Sequence, residues 1–195
     1  TQVASLIGAV RSNNKKGMAG INWNIKIQPL RVMGPCGGSI DDVADAIRWA
    51  AGISVDGVPD NGTPARIINL SMEGAASCSK ITELQSAITD AVKAGAIIVT
   101  AAGNYRRDVS RTYPAGCLGV VAVAASDING NLASYSGYGP GVTIMAPGGD
   151  FNGNPAKTGV LTAIRRDYHY NKGTSFSAPI VSGVLALWLA ARPSL

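Results

Sequence analysis

The stretch "AIIVTAAGN", residues 96–104, runs through seven apolar or small residues without alternation and then turns abruptly polar. A strand with one wet face alternates, whereas a strand apolar throughout is covered on both faces, as in a parallel sheet. Four other runs read the same way: "IKIQPLRV" (25–32), "RIINLS" (66–71), "GVVAVAA" (119–125) and "VTIMAP" (142–147). Five strands are therefore expected. Helices fall between them. Ile40, Val43, Ala44, Ile47, Ala50 and Ala51 recur at helical spacing behind Ser39, with Asp42 three residues on as a capping box requires and Gly52 as the stop. A second helix runs from Ile81 through Leu84, Ile88, Ala91 and Val92 to a stop at Gly95. Strands alternating with helices predict an α/β fold whose crossovers lie on a parallel sheet. The last segment, Thr174 to Ala191, is apolar nearly all round and reads as a buried helix.

Length and composition fit one domain. The chain has 195 residues, 46% hydrophobic and 15% charged, with 24 glycines and 10 prolines, which describes a globular chain with many tight turns. The longest apolar run, Ile180 to Ala191, is too short to span a bilayer, so no membrane partner is expected. The opening "TQVASLIGAVRSNNKK" carries its basic residues after its apolar ones, the reverse of a signal peptide, so the chain is expected to be mature or truncated. The net charge of +5 is scattered. Its clusters, Arg106, Arg107 and Arg111, and Arg165 with Arg166, lack interleaved aromatics and read as solvated loop charge, not as a nucleic-acid surface. Cys36, Cys78 and Cys117 make an odd count, so in a secreted protein one thiol needs a partner elsewhere.

In open parallel sheets, binding and chemistry gather at the carboxyl ends of the strands. Three such ends here are polar and glycine-rich: "SMEG" (71–74), "GNYRR" (103–107) and the loop before "GTS" (173–175). A helix starting at Thr174 would put Ser175 in its first turn, where free N–H groups and the positive dipole end favour developing negative charge. Read from "GTS" alone, Ser175 is a nucleophile, an oxyanion binder or an ordinary N-cap. The segments "DINGN" (127–131) and "DFNGN" (150–154) lack the glycine and glutamate spacing of a calcium loop. Both read as Asx-type turns, with a structural calcium ion the alternative.

"TQVAS", "IINLS", "VTAAGN", "ASYSGYGPGVTIMAPGG" and "GTSFSAPIVSGVLAL" occur in the order and at about the spacing of the subtilisin-like serine proteases, across essentially the whole chain. "CGG" (36–38) and "SCS" (77–79) resemble a secreted bacterial branch of that family. The resemblance implies a three-layer α/β fold with a mostly parallel sheet flanked by helices, lacking its first strands. Residues 1–195 would be the carboxyl-terminal portion of a secreted, extracellular peptidase domain. It implies Ser175 as nucleophile and Asn104 as side-chain donor to the oxyanion, in a reaction through an acyl-enzyme that uses no cofactor. Ser71, Met72 and Glu73, facing Ala101, Ala102 and Gly103, would wall the pocket for the side chain before the cut bond. Gly37 and Gly38 would pair an extended protein or peptide substrate as an added strand.

Three departures from the family pattern matter. Glu73 stands where the family usually has glycine, and an inward carboxylate there predicts preference for a basic residue. Gln2 stands in place of the second histidine of the family's "HGTHVAG" motif. That motif's first histidine, the base, would lie two residues before Thr1, and the triad aspartate would lie further upstream. The sole histidine, His169, and Lys172 are poor substitutes for that base, one misplaced and the other a loop lysine that stays protonated. The chain alone is therefore expected to be essentially inactive, an upstream segment carrying aspartate and histidine being its partner, linked through Cys36. The resemblance further implies a Cys78–Cys117 disulfide. The alternative class is a non-catalytic peptide-binding domain that kept the groove and lost the chemistry.

Overall fold

The computed structural model describes residues 1–10, 17–151 and 153–192; the basic residues of 11–16 and Asn152 of the second Asx-type segment lie outside them. Its elements are α1 (Gln2–Gly8), α2 (Ile40–Ala50), β1 (Ile67–Leu70), α3 (Thr82–Lys93), β2 (Ile97–Ala101), β3 (Val120–Ser126), β4 (Ile144–Pro147), α4 (Pro155–Thr158), β5 (Val160–Ile164), β6 (Asp167–Asn171) and α5 (Thr174–Ala191). The strands β1 to β4 form one sheet in the order β1-β2-β3-β4, every pair parallel. The strands β5 and β6 make a separate antiparallel hairpin.

Because side chains alternate along a strand, each apolar run feeds two cores. From β2, Ile98 points into a cluster with Val43, Ala44 and Ile47 of α2 and with Leu84, Ala87 and Ile88 of α3. Its neighbours Val99 and Ala101 point the other way, to Val123 of β3 and to Ala178 and Val181 of α5. Helices thus cover both faces, and the sheet is the middle of three layers. The α2 start is a complete capping box: Asp42 N donates to Ser39 Oγ at 3.0 Å and Ser39 N donates to Asp42 Oδ2 at 3.3 Å. Arg48 of α2 then reaches Glu83 and Asp90 of α3, tying the two outer helices together.

The structure corrects two expectations. Residues 25–32 form no strand: a strand needs a ladder partner, and none of the described strands pairs with this segment, whose Ile27 and Leu30 stay exposed. The helix α5 is buried only over its first ten residues; Val184, Leu187 and Trp188 are exposed on its second half. At 18 residues it is also longer than the apolar run considered above and, by length and composition, apolar enough to cross a membrane, although Thr174, Ser177 and Ser182 are packed inside the domain. The Asx reading of 150–154 pairs the Asp150 carboxylate with Asn152, which lies outside the described residues. That carboxylate accepts Ser134 N at 2.7 Å, while Asn154 caps α4 by accepting Ala156 N at 3.0 Å. The 127–131 segment does form the turn, with Asp127 Oδ1 accepting the N–H groups of Asn129 and Asn131.

A disulfide joins Cys78 to Cys117 across 39 residues, and Cys36 is free and exposed. Closing a loop of that length removes about 4 kcal/mol of unfolded-chain freedom. Replacing both cysteines by alanine in the full-length protein should lower its unfolding free energy by an amount of that order; denaturant titration checks it, and an unchanged midpoint would contradict it.

Candidate active site

The carboxyl ends of β1 and β2 meet the start of α5. Gly173, at φ +146°, is the N-cap of α5, so Ser175 is the second helical residue and not the cap. Its backbone N–H belongs to the first helical turn, where no intrahelical acceptor exists. The side chain donates a long hydrogen bond, 3.4 Å, to the carbonyl oxygen of Ser71, and Ser71 Oγ donates to the Ser175 carbonyl at 3.0 Å. The segment after β1 and the start of α5 therefore bind each other reciprocally.

Thr174 supplies the second tie. Its N–H donates to Asn104 Oδ1 at 2.8 Å, its hydroxyl donates to the same oxygen at 3.1 Å, and that hydroxyl accepts Gly103 N at 3.1 Å. Thr174 is fully buried, and every polar atom of its side chain is used. A backbone N–H can only donate, so the oxygen end of the Asn104 amide must face Thr174. Its NH₂ end is thereby turned away from Thr174 and left to donate elsewhere.

Glu73 reaches across from the β1 side to the β2 side. Its Oε2 accepts Asn104 N at 2.9 Å, and its carboxylate lies so close to Gly103 that a β-carbon there would sit 2.3 Å from Oε1. Gly103, at φ +103°, is the one residue type that admits both the turn and the carboxylate. Ala101, Ala102 and Gly103 are buried on that side, and Met72 packs under the other wall against the α2–α3 core. Gly37 and Gly38 stand apart from this cluster. Gly37 exchanges both its backbone groups with Gly34, at 2.8 and 3.1 Å, and lines a cavity of about 640 Å³ with Leu30, Met33 and Trp49. Gly38 is pressed against the Val32 carbonyl oxygen, 2.0 Å from where a β-carbon would be.

No basic side chain reaches Ser175 among the described bonds. His169 lies exposed on β6, its carbonyl accepting from Thr162 and Asn171. Lys172 is drawn to Asp150, 4.0 Å away, between the rings of Tyr135 and Phe151. Burial works against the Asp150 charge, but the Ser134 N–H and hydroxyl, with Lys172, outweigh it and hold the carboxyl below its usual value of 3.8. The Tyr135 hydroxyl lies 2.7 and 2.9 Å from the carbonyl oxygens of Gly149 and Gly148, and burial pushes its phenol up. Gly148 O in turn accepts Gly173 N at 2.9 Å, so this loop seats the residue that opens α5. Gln2 Nε2 points to Thr162 Oγ1, at 3.4 Å.

Besides Thr174, two participants escaped the sequence reading. Ser182 Oγ donates to Asn69 Oδ1 at 2.9 Å, and Asn69 Nδ2 donates to Ser71 Oγ, also at 2.9 Å. This chain ends on the Ser175 carbonyl. A signal was present: Ser182 lies seven residues beyond Ser175, two turns along the same helical face.

A three-layer α/β/α domain with a serine and an asparagine amide assembled at the carboxyl ends of parallel strands has the architecture of subtilisin-like proteases. The chain belongs to the subtilase family, whose model matches residues 1–195. It is 44% identical over 194 residues to an extracellular protease of Xanthomonas campestris pv. campestris, covering all of this chain and 33% of that protein. It is 41% identical to an extracellular basic protease of Dichelobacter nodosus, covering all of this chain and 32% of that one. Among solved structures, a protease from Pseudoalteromonas arctica superposes with a TM-score of 0.93 at 42% identity, over all of this chain and 59% of that one. A cold-adapted subtilisin-like serine proteinase superposes with a TM-score of 0.78 at 28% identity, over 98% of this chain and 61% of that one. The chain thus spans about a third of the length of the first two relatives.

Thr174→Val keeps the shape of the side chain and removes the hydroxyl, leaving the buried Gly103 N–H without an acceptor. Such a loss costs about 1–3 kcal/mol. Urea denaturation of the full-length protein should show a destabilisation in that range, with Thr174→Ser restoring most of it; equal stability of the valine variant would mean that the clamp contributes nothing.

Proposed function

We propose that the full-length protein is a secreted serine-type endopeptidase in which Ser175 Oγ attacks a peptide carbonyl and forms an acyl-enzyme that water then hydrolyses. The observation that carries this reading is the orientation of Asn104, whose amide oxygen is held by Thr174 and whose NH₂ is thereby presented as a donor. With the Ser175 N–H it would meet the negative oxygen that develops on the attacked carbonyl. The names of the two extracellular relatives support export of this protein as well.

Ser175 Oγ faces a carbonyl oxygen, which cannot take its proton at neutral pH. The base is therefore assigned to a histidine–aspartate pair on another segment of the polypeptide, docked beside the free edge of β1. The exposed thiol of Cys36 is a suitable anchor for that segment. Without it, residues 1–195 would turn over peptides only very slowly. The substrate would lie extended along Ser71, Met72 and Glu73, with Gly37 and Gly38 at the far end of the groove. The residue before the cut bond would enter between 71–73 and 101–103. The Glu73 carboxylate, lying across that gap, favours lysine or arginine there.

A fluorophosphonate probe should label wild-type full-length protein at Ser175, and Ser175→Ala should abolish both labelling and peptide cleavage. Asn104→Leu should lower kcat by about 10²–10³ with KM little changed, a magnitude taken over from the equivalent loss in subtilisin. Peptide binding without labelling would favour the competing reading, a peptide-binding domain without chemistry. In the same assay Glu73→Gly should erase any preference for basic over neutral residues before the cut bond, and a profile unaffected by that change would remove Glu73 from specificity.

A further inference from the structure

Beyond the cleft lies a second cavity, of about 570 Å³, lined by Ala75, Arg106, Arg107, Asp108, Arg111 and Tyr138 among others. Ala75 follows Glu73 by two residues and Arg106 follows Asn104 by two, so the cavity forms where both walls of the cleft continue. Three guanidinium groups against one carboxylate leave two positive charges in excess. The carboxylate is already engaged: Asp108 Oδ1 accepts Ser110 N at 2.9 Å. Among the described residues, none of the three arginines forms an ion pair.

Two of these arginines make defined contacts. Arg106 adopts φ +49°, an unfavourable conformation for a long side chain, and its guanidinium donates to the Ser134 carbonyl at 3.0 Å while its N–H donates to Tyr135 O at 2.8 Å. The Arg107 guanidinium rests 5.5 Å from the centre of the Tyr105 ring, and the Arg107 carbonyl accepts Tyr138 N at 3.0 Å. All three arginines are exposed, but a solvated loop charge has no need of the positive φ at Arg106 or of a place on the lining of a cavity. A planar guanidinium fork on the lining of a cavity suits a carboxylate, which it can bind through two parallel hydrogen bonds.

We propose that this cavity is a secondary subsite that takes the carboxylate of an aspartate or glutamate side chain in the polypeptide bound in the neighbouring cleft. The proposal rests on reading that cleft as a peptide site, and it adds an acidic determinant distinct from the residue before the cut bond.

The test uses full-length protein carrying Ser175→Ala, so that bound peptide is not consumed, and a series of fluorescent neutral peptides in which one glutamate, or one glutamine as control, is moved along the sequence. At one position the glutamate peptide should bind about tenfold more tightly than its glutamine control, the size of one charge-assisted pair, and the gap should shrink as salt rises. Adding Arg107→Gln and Arg111→Gln together should abolish the gap while leaving the glutamine peptides unaffected, and Arg111→Gln alone should reduce it. Equal binding of glutamate and glutamine peptides at every position, no binding of any glutamate peptide, or a preference that survives the double change would overturn the proposal. Cleavage of the glutamine peptides by the wild-type protein reports separately on the peptidase reading, so the two can fail independently.

Discussion

Four short hydrogen bonds at the mouth of α5 decide where everything in the cleft stands. Thr174 binds Asn104 twice and Gly103 once, and Ser71 Oγ binds the Ser175 carbonyl. The helix behind them is apolar on nearly every side, so hydrophobic burial alone gives it little preference for one rotation over another. A buried polar network does discriminate, because turning the helix leaves each of its members unpaired in a medium where that is costly. The Ser182–Asn69–Ser71 chain repeats the constraint two turns deeper. Together these contacts set both the serine and the asparagine amide relative to the sheet.

Much of the sheet was legible because burial on two faces leaves a plain trace in sequence. The runs at 66–71, 96–102, 119–125 and 142–147 all contain strands, and both glycine stops, Gly52 and Gly95, take positive φ where the helices end. What escaped depends on distant partners. Residues 25–32 have the composition of a strand and no neighbour with which to share a ladder. The β5–β6 hairpin turns through Arg165 and Arg166, with Arg166 at φ +70°, and so lacks the glycine or asparagine that would have announced it. Val184, Leu187 and Trp188 are apolar, and nothing local distinguishes them from Ala178 or Val181, which the sheet covers.

The site shows the same division. Ser175 and Asn104 stood out through a family pattern, while Thr174, Asn69 and Ser182 looked like ordinary helix and strand residues until their partners, 70 to 113 positions away, were in view. Glu73 was visible as an oddity, but its pairing with the Asn104 N–H and the room that Gly103 makes for it are tertiary facts. The charge changes sign over a few residues, from Glu73 to the three arginines that follow Asn104.

The order β1-β2-β3-β4 is the order in which the chain is made. Each new strand can therefore pair with the one synthesised just before it, and the sheet grows from one side without waiting for a distant segment. Among the described elements α5 comes last, and it lies over the face of that sheet. A nascent chain that has not yet emerged past Asn171 holds residues 71–73 and 101–104 but no Ser175. Bringing Asn104 and Ser175 together is thus deferred until α5 docks on the sheet.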